Sequence, residues 1–121
     1  MSRLTREAIL SAPDITEKEV DVPEWGGSVL IRTMTKAQQV KLRREAMVDG
    51  SLSEDRLEIL IFVHGVVEPQ FTAEDHDTLK GKSASAMDRV LLEIYRGSGM
   101  TKEEAARIER AFPGGTPEAR S

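Results

Sequence analysis

Three short stretches hold side chains able to do chemistry. Gly81-Lys82-Ser83 has the residues that end a phosphate-binding loop. Such a loop needs another glycine five positions earlier and a buried strand ahead of it. Residue 76 is His, and the residues before Gly81 read as helix, so the plain interpretation is a turn between helices. Glu74-Asp75-His76-Asp77 gathers metal-capable groups. A metal ion needs ligands converging from one face, whereas consecutive residues on a helix diverge. The other histidine, His64, lies in an apolar helical run and is either a core residue or a rim residue. Nucleophilic catalysis would require a serine, a histidine base and an orienting acid brought together. The serines fall at caps and turns, where backbone hydrogen bonding accounts for them, and no Gly-x-Ser-x-Gly elbow is present. The expectation is a binding protein, not an enzyme, with no catalytic residue, cofactor or metal site.

Lys36, Lys41, Arg43 and Arg44 make the dense basic cluster. Its ordinary meaning on a helix is a solvated face. A helix-turn-helix reading would make the apolar helix that follows the DNA reader, which wastes a recognition face. Seventeen basic against twenty-one acidic residues give a net charge of −4, and aromatics are 4%. That argues against nucleic acid as a partner, which favours a basic surplus and stacking platforms. The chain has no Cys, which excludes disulfides and thiolate metal sites and suits a reducing compartment. The longest apolar run, Ile59 to Val63, is too short to span a bilayer, and the N-terminus lacks a signal-peptide pattern.

The elements that would position these groups read as an α+β domain, mainly helical. Thr5 caps a short helix over residues 1–12, with Ile9 and Leu10 as anchors, and Pro13-Asp14 ends it. Val20 and Val22 alternate with charge, predicting a strand, and Ser28 to Arg32 predicts a second. Together they form a hairpin, about 17–33, across the turn Pro23-Glu24-Trp25-Gly26-Gly27. A lone hairpin is marginal in water, so it must pack on the helices or pair with another chain; self-association by strand pairing stays open. Four or five helices follow over about 35–112. Thr35 and Gln38 form a capping box, with Ala37, Val40, Ala46 or Met47 on the apolar face and Asp49-Gly50 as the stop. Ser53 caps the next helix, with Leu52 and Leu57 at staple positions. Residues 57–67 are apolar almost all round, which makes that helix central. A buried strand is the competing reading of Ile59 to Val63, and the cap and the length favour helix. Thr72 opens a short helix carrying Leu79. Ser85 opens another, with Met87, Val90, Leu91, Ile94 and Tyr95 as its stripe. Gly97-Ser98-Gly99 closes it as a hinge. Thr101 to Glu104 is a further capping box, followed by Ala105, Ile108 and Phe112. Residues 1–112 form the single domain, and 113–121, rich in Pro and Gly, read as a flexible tail.

Two apolar features are left for recognition. Trp25 either seals the core or stands ready as a contact, and the glycines after it favour sealing. The stripe of Ile108 and Phe112, with Met100 ahead of it, either docks internally or engages a partner helix in a groove. Met34, Met47 and Met87 offer further adaptable apolar surface, with Met87 the best candidate for the core.

The ordered segments resemble a known family. Thr5-Arg6-Glu7-Ala8-Ile9-Leu10, then Val20-Asp21-Val22-Pro23-Glu24-Trp25-Gly26-Gly27-Ser28-Val29, look like the start of tail assembly chaperones of long-tailed (siphovirus-type) bacteriophages. Val66-Val67-Glu68-Pro69-Gln70-Phe71-Thr72, Leu79-Lys80-Gly81-Lys82-Ser83, Val90-Leu91-Leu92-Glu93-Ile94 and Gly97-Ser98-Gly99-Met100-Thr101 continue the match. It spans about residues 5–112, and the Pro-Glu-Trp-Gly-Gly turn is its most specific part. The resemblance implies a protein that holds the long helical tape-measure protein soluble until the tail tube forms around it. It implies action in the host cytoplasm, absence from the mature virion and possible contact with the major tail protein. A small nucleic-acid-binding regulator and a head–tail connector are the alternative readings.

Overall fold

A computed structural model describes residues 2–99 of the chain. Its arrangement follows from helix α3 (Glu54–Gly65). Ser53 starts α3 by accepting a hydrogen bond from the Arg56 amide, and Glu54 and Asp55 sit at its positive end. Leu57, Ile59, Leu60, Ile61, Phe62, Val63 and Gly65 are all buried. Those positions surround the helix axis, so neighbours must enclose it. Helices α2 (Lys36–Glu45), α4 (His76–Lys80) and α5 (Ala84–Ser98) do so, together with strand β5 (Val66–Glu68).

The hairpin joins this bundle as expected, and gains a third strand. Strand β1 (Glu17–Val22) pairs antiparallel with β2 (Gly27–Arg32), Val20 opposite Val29 and Glu17 opposite Arg32. Strand β5 pairs with the other edge of β2, giving the order β1-β2-β5. Val20, Val22, Val29, Ile31 and Val66 face the core, while Glu17, Glu19 and Asp21 face out. The sequence reading runs the central helix through Val67. Instead it ends at Gly65 and Val66 turns extended. Two adjacent β-branched residues fit a sheet edge better than a last helical turn. Between β1 and β2, Pro23–Trp25 forms one 3-10 turn, closed by the Gly26 amide donating to the Pro23 carbonyl at 3.1 Å. Gly26 has φ +73, a backbone state that a side chain disfavours.

Other expectations need correction. Helix α2 has its capping box: the Gln38 amide donates to Thr35 Oγ1 and the Thr35 amide to Gln38 Oε1. Its buried anchor, however, is Leu42, with Ala46 behind it, whereas Val40 and Met47 are exposed. Asp49-Gly50 does more than stop a helix. Both residues have positive φ, +52 and +82, and link β3 (Met47–Val48) to β4 (Ser51–Leu52) in a miniature hairpin. Asp-Gly favours this turn because both central positions need φ > 0. Leu52, expected as half of a staple, is 39% exposed. Met34 is core, not adaptable surface. Helix α1 (Arg6–Ser11) is capped by Thr5, whose Oγ1 accepts from the Ala8 amide, but Ile9 and Leu10 anchor nothing: the helix has no buried residue.

Helix α5 is capped by Ser83, two residues before the expected Ser85. Met87, Val90, Leu91, Ile94 and Tyr95 are buried as the stripe requires. Its C-terminus is fastened to the 33–39 segment and is not a hinge. The Met34 amide donates to Ser98 Oγ at 2.9 Å and Gln39 Nε2 to the Ser98 carbonyl at 3.0 Å. A Cβ on Gly97 would lie 2.8 Å from the Thr33 methyl, so a larger residue there would push this corner apart.

Gly65 is the tightest crossing of α3 and α5. An added Cβ would lie 2.6 Å from Ile94 Cδ1, 3.1 Å from Cγ1 and 3.2 Å from Cγ2, and Ile94 is fully buried, so its displacement would disturb the core. Gly65→Ala should therefore destabilise the protein by about 1–3 kcal/mol in denaturant unfolding, despite the better helix propensity of alanine. Ile94→Val removes the closest atom, so the double variant should lose less than the two single losses summed.

Candidate functional site

The elements that enclose α3 leave a recess beside it. A cleft of about 780 Å³ runs between the C-terminal half of α3, strand β5 and the segment leading into α4. Leu60 and Val63 come from one face of α3, one turn apart. Val66, Val67 and Phe71 follow from β5 and the loop beyond it, and these five residues make an apolar floor. Val67 and Phe71 are half-buried, so part of that floor faces solvent. The rim is charged and of mixed sign, with Arg32, Arg56, Glu45 and Asp77, plus His64 and His76.

Two rim guanidiniums are held in place. Arg56 Nε donates to the Glu45 carbonyl at 2.7 Å, tying the start of α3 to the end of α2. Arg32 donates twice to Glu17 Oε2, at 3.1 and 2.8 Å, across the hairpin. Both Arg32 and Glu17 are about half exposed, so their pair adds little stability and serves mainly to orient Arg32.

An aromatic row through Phe62 connects the cleft to the turn between β1 and β2. Phe71 tilts against Phe62 with ring centroids 5.5 Å apart, and Trp25 meets Phe62 edge-on at 6.1 Å and 89°. Trp25 both seals and shows itself: one edge covers Phe62, and 38% of the residue stays exposed. The turn is fixed to α5 as well. Ser85 Oγ donates to Glu24 Oε2 at 2.5 Å, and Arg89 donates to both carboxylate oxygens, at 3.2 and 2.9 Å. The Arg89 guanidinium, helped by the Ser85 hydroxyl, holds the Glu24 carboxyl at about 2 instead of 4.5. This explains Ser85: it binds the turn while Ser83 caps the helix.

The other sequence-predicted groups are placed as follows. His64 is exposed on the cleft rim, which settles it as a rim residue. His76 and Asp77 reach the same rim, while Asp75 caps its own turn by accepting from the Thr72 amide at 2.9 Å. Among the described residues no group of three or more His, Asp or Glu side chains is arranged to hold a metal ion. Gly81-Lys82-Ser83 is the turn between α4 and α5. Lys36, Lys41 and Arg44 are exposed on α2, with Lys41 at 4.0 Å from Glu45. Val40, Met47, Val48 and Leu52 form exposed apolar surface on α2 and the miniature hairpin. Met100, Ile108 and Phe112, and the tail at 113–121, lie outside the described residues. Among the described residues no helix is long and apolar enough to cross a membrane. The sequence reading missed the cleft. Its available signal was Phe71, a lone aromatic just past Pro69 with no helix of its own to anchor.

No family model, curated protein or solved structure matches the chain.

The Glu24 contacts carry a pH signature. The carboxyl is depressed in the folded state, so the unfolded chain takes up this proton first as pH falls. The stabilisation is complete above about 4.5 and is lost as pH drops towards about 2. Glu24→Gln should lower the melting temperature near neutral pH, and its deficit relative to the parent should shrink across that window. A deficit independent of pH would show that the carboxylate charge does not matter.

Proposed function

We propose that this protein is a tail assembly chaperone of a long-tailed phage, holding an amphipathic helix of the tape-measure protein in the cleft beside α3. The observation that carries the reading joins sequence to structure. The resembling segment Val66 to Thr72 supplies Val66, Val67, Gln70, Phe71 and Thr72 to the cleft wall. One of the segments that suggest the family thus lines the cleft, while the more specific Pro-Glu-Trp-Gly-Gly turn lies outside it.

The physics of the groove suits such a client. An amphipathic helix presents apolar residues at i, i+3, i+4 and i+7 to a hydrophobic trough and leaves its charged flanks at the edge. Val67 and Phe71 offer the accessible apolar part of the floor, backed by the buried Leu60 and Val63. The rim carries both signs, so it accepts helices of varied charge pattern and favours no single sequence. A tape-measure protein presents many such helices in series, and weak binding at each would sum along its length. On this reading the chaperone acts in the host cytoplasm and leaves before the virion is complete.

Co-expression with the long helical protein encoded downstream should raise that client's soluble yield and allow co-purification. Val67→Asp places a charge on the exposed part of the floor and should weaken client binding at least about tenfold, with the fold intact by circular dichroism. No gain in solubility and no co-purification would overturn the reading. Finding the protein in purified virions would point instead to a connector.

A further inference from the structure

The sheet order β1-β2-β5 leaves the outer edge of β1 without a partner strand among the described residues. The register shows which groups that edge presents. The Thr33 amide donates to the Thr16 carbonyl at 3.0 Å, which makes Thr16 and Thr33 a hydrogen-bonded pair at the start of the ladder. Such pairs alternate along an antiparallel ladder. Lys18, Val20 and Val22 therefore turn their amides and carbonyls towards β2, whereas Glu17, Glu19 and Asp21 turn theirs outward. The side chains of the same three residues are exposed. Every residue of β1 that offers backbone hydrogen bonds at this edge thus also offers a carboxylate. Arg32 occupies Glu17. The side chains of Glu19 and Asp21 have no hydrogen bond or ion pair among the described residues.

The edge also has room for a strand. Lys18, Glu19, Val20 and Asp21, with Arg89 and Glu93 of α5, line a hollow of about 230 Å³. Its walls are fixed, because Lys18 Nζ donates to Glu93 Oε1 at 2.6 Å and Arg89 is held by Glu24. A strand laid beside β1 would set alternate side chains against Glu19 and Asp21 and the others towards this hollow.

Charge decides which strand. A second copy is a poor occupant. In any register that overlaps two β1 strands along most of their length and keeps both core faces on one side, acids of one copy lie opposite acids of the other. Like charges directly opposite are destabilising, and charged edges of this kind keep sheets from joining. We propose that the outer edge of β1 takes up an antiparallel extended segment of another protein, with Lys or Arg at alternate positions. Main-chain bonds to Glu17, Glu19 and Asp21 supply affinity, and the carboxylates select the sequence. The basic residues then sit directly opposite the acids, at the hydrogen-bonded positions. This surface is distinct from the cleft, whose strand β5 is at the opposite edge of the sheet, and it does not depend on what occupies the cleft.

The probe is a labelled peptide of about seven residues alternating Lys and Val, a length that matches an ordinary strand. Fluorescence anisotropy should show that it binds the full chain, whereas a peptide alternating Glu and Val does not. Methylating the lysine amides, which face β1, should weaken binding at least about tenfold, and methylating the valine amides should not. Glu19→Gln with Asp21→Asn should weaken binding about fivefold at an unchanged melting temperature. Glu19→Lys with Asp21→Lys should reverse the preference to the Glu and Val peptide. No binding of the Lys and Val peptide would overturn the proposal. Equal binding of its lysine-methylated form would show attraction by charge alone and overturn it too, as would a preference that the double lysine variant leaves unchanged. Without peptide, slowed exchange of the Glu19 and Asp21 amides that grows with protein concentration would assign the edge to a second copy and also overturn it.

Discussion

The burial of α3 on every side is the constraint from which the rest of the molecule follows. A helix with one apolar stripe needs one neighbour, whereas α3 buries residues around its whole circumference and needs several. No single helix can supply that cover. Helix α5 takes the face at Gly65, where a missing side chain lets the two axes close on Ile94. Helices α2 and α4 take the flanks through Leu42 and Leu79. Strand β5 continues directly from the end of α3 and carries it into the sheet.

Seen from α3, the secondary features have a common purpose. The hairpin is held from three places: by β5 on the free edge of β2, by α5 through Arg89 and Ser85 on Glu24, and by Phe62 beneath Trp25. The corner of Thr33, Gly97 and Ser98 fixes the other end of α5. Beside the buried Leu60 and Val63 of α3 the enclosing elements leave a recess, floored towards solvent by the half-buried Val67 and Phe71, and that recess is the cleft. Its charged rim is a by-product of the helix ends and hairpin residues that surround it.

Local signals were legible in the sequence and distant ones were not. The caps at Thr5, Thr35, Ser53 and Thr72 are correct because a cap is decided within four residues. The stripe of α5 is correct because its apolar periodicity is strong and uninterrupted. Failures came where tertiary contact decides. Leu42 outranks Val40 and Met47 because of where α3 lies, which α2 alone does not reveal. Val66 to Glu68 leave the helix because β2 offers a free edge more than thirty residues earlier in the chain. Ser83 and Ser85 are both plausible caps, and only the presence of Glu24 opposite Ser85 distinguishes them. The cleft is assembled from residues as far apart as Arg32 and Asp77, so no local pattern announced it.

The row of Trp25, Phe62 and Phe71 has an optical consequence. Trp25 is the single tryptophan of the chain, so the intrinsic fluorescence of the molecule comes essentially from one place. That indole meets the buried ring of Phe62 in a T-shaped contact while 38% of the residue stays exposed, so its emission reports on this contact. Phe71 touches the same buried ring from the cleft side. The protein thus contains a native chromophore separated from its groove by one phenyl ring, because Trp25 and the cleft residue Phe71 share Phe62 as packing partner.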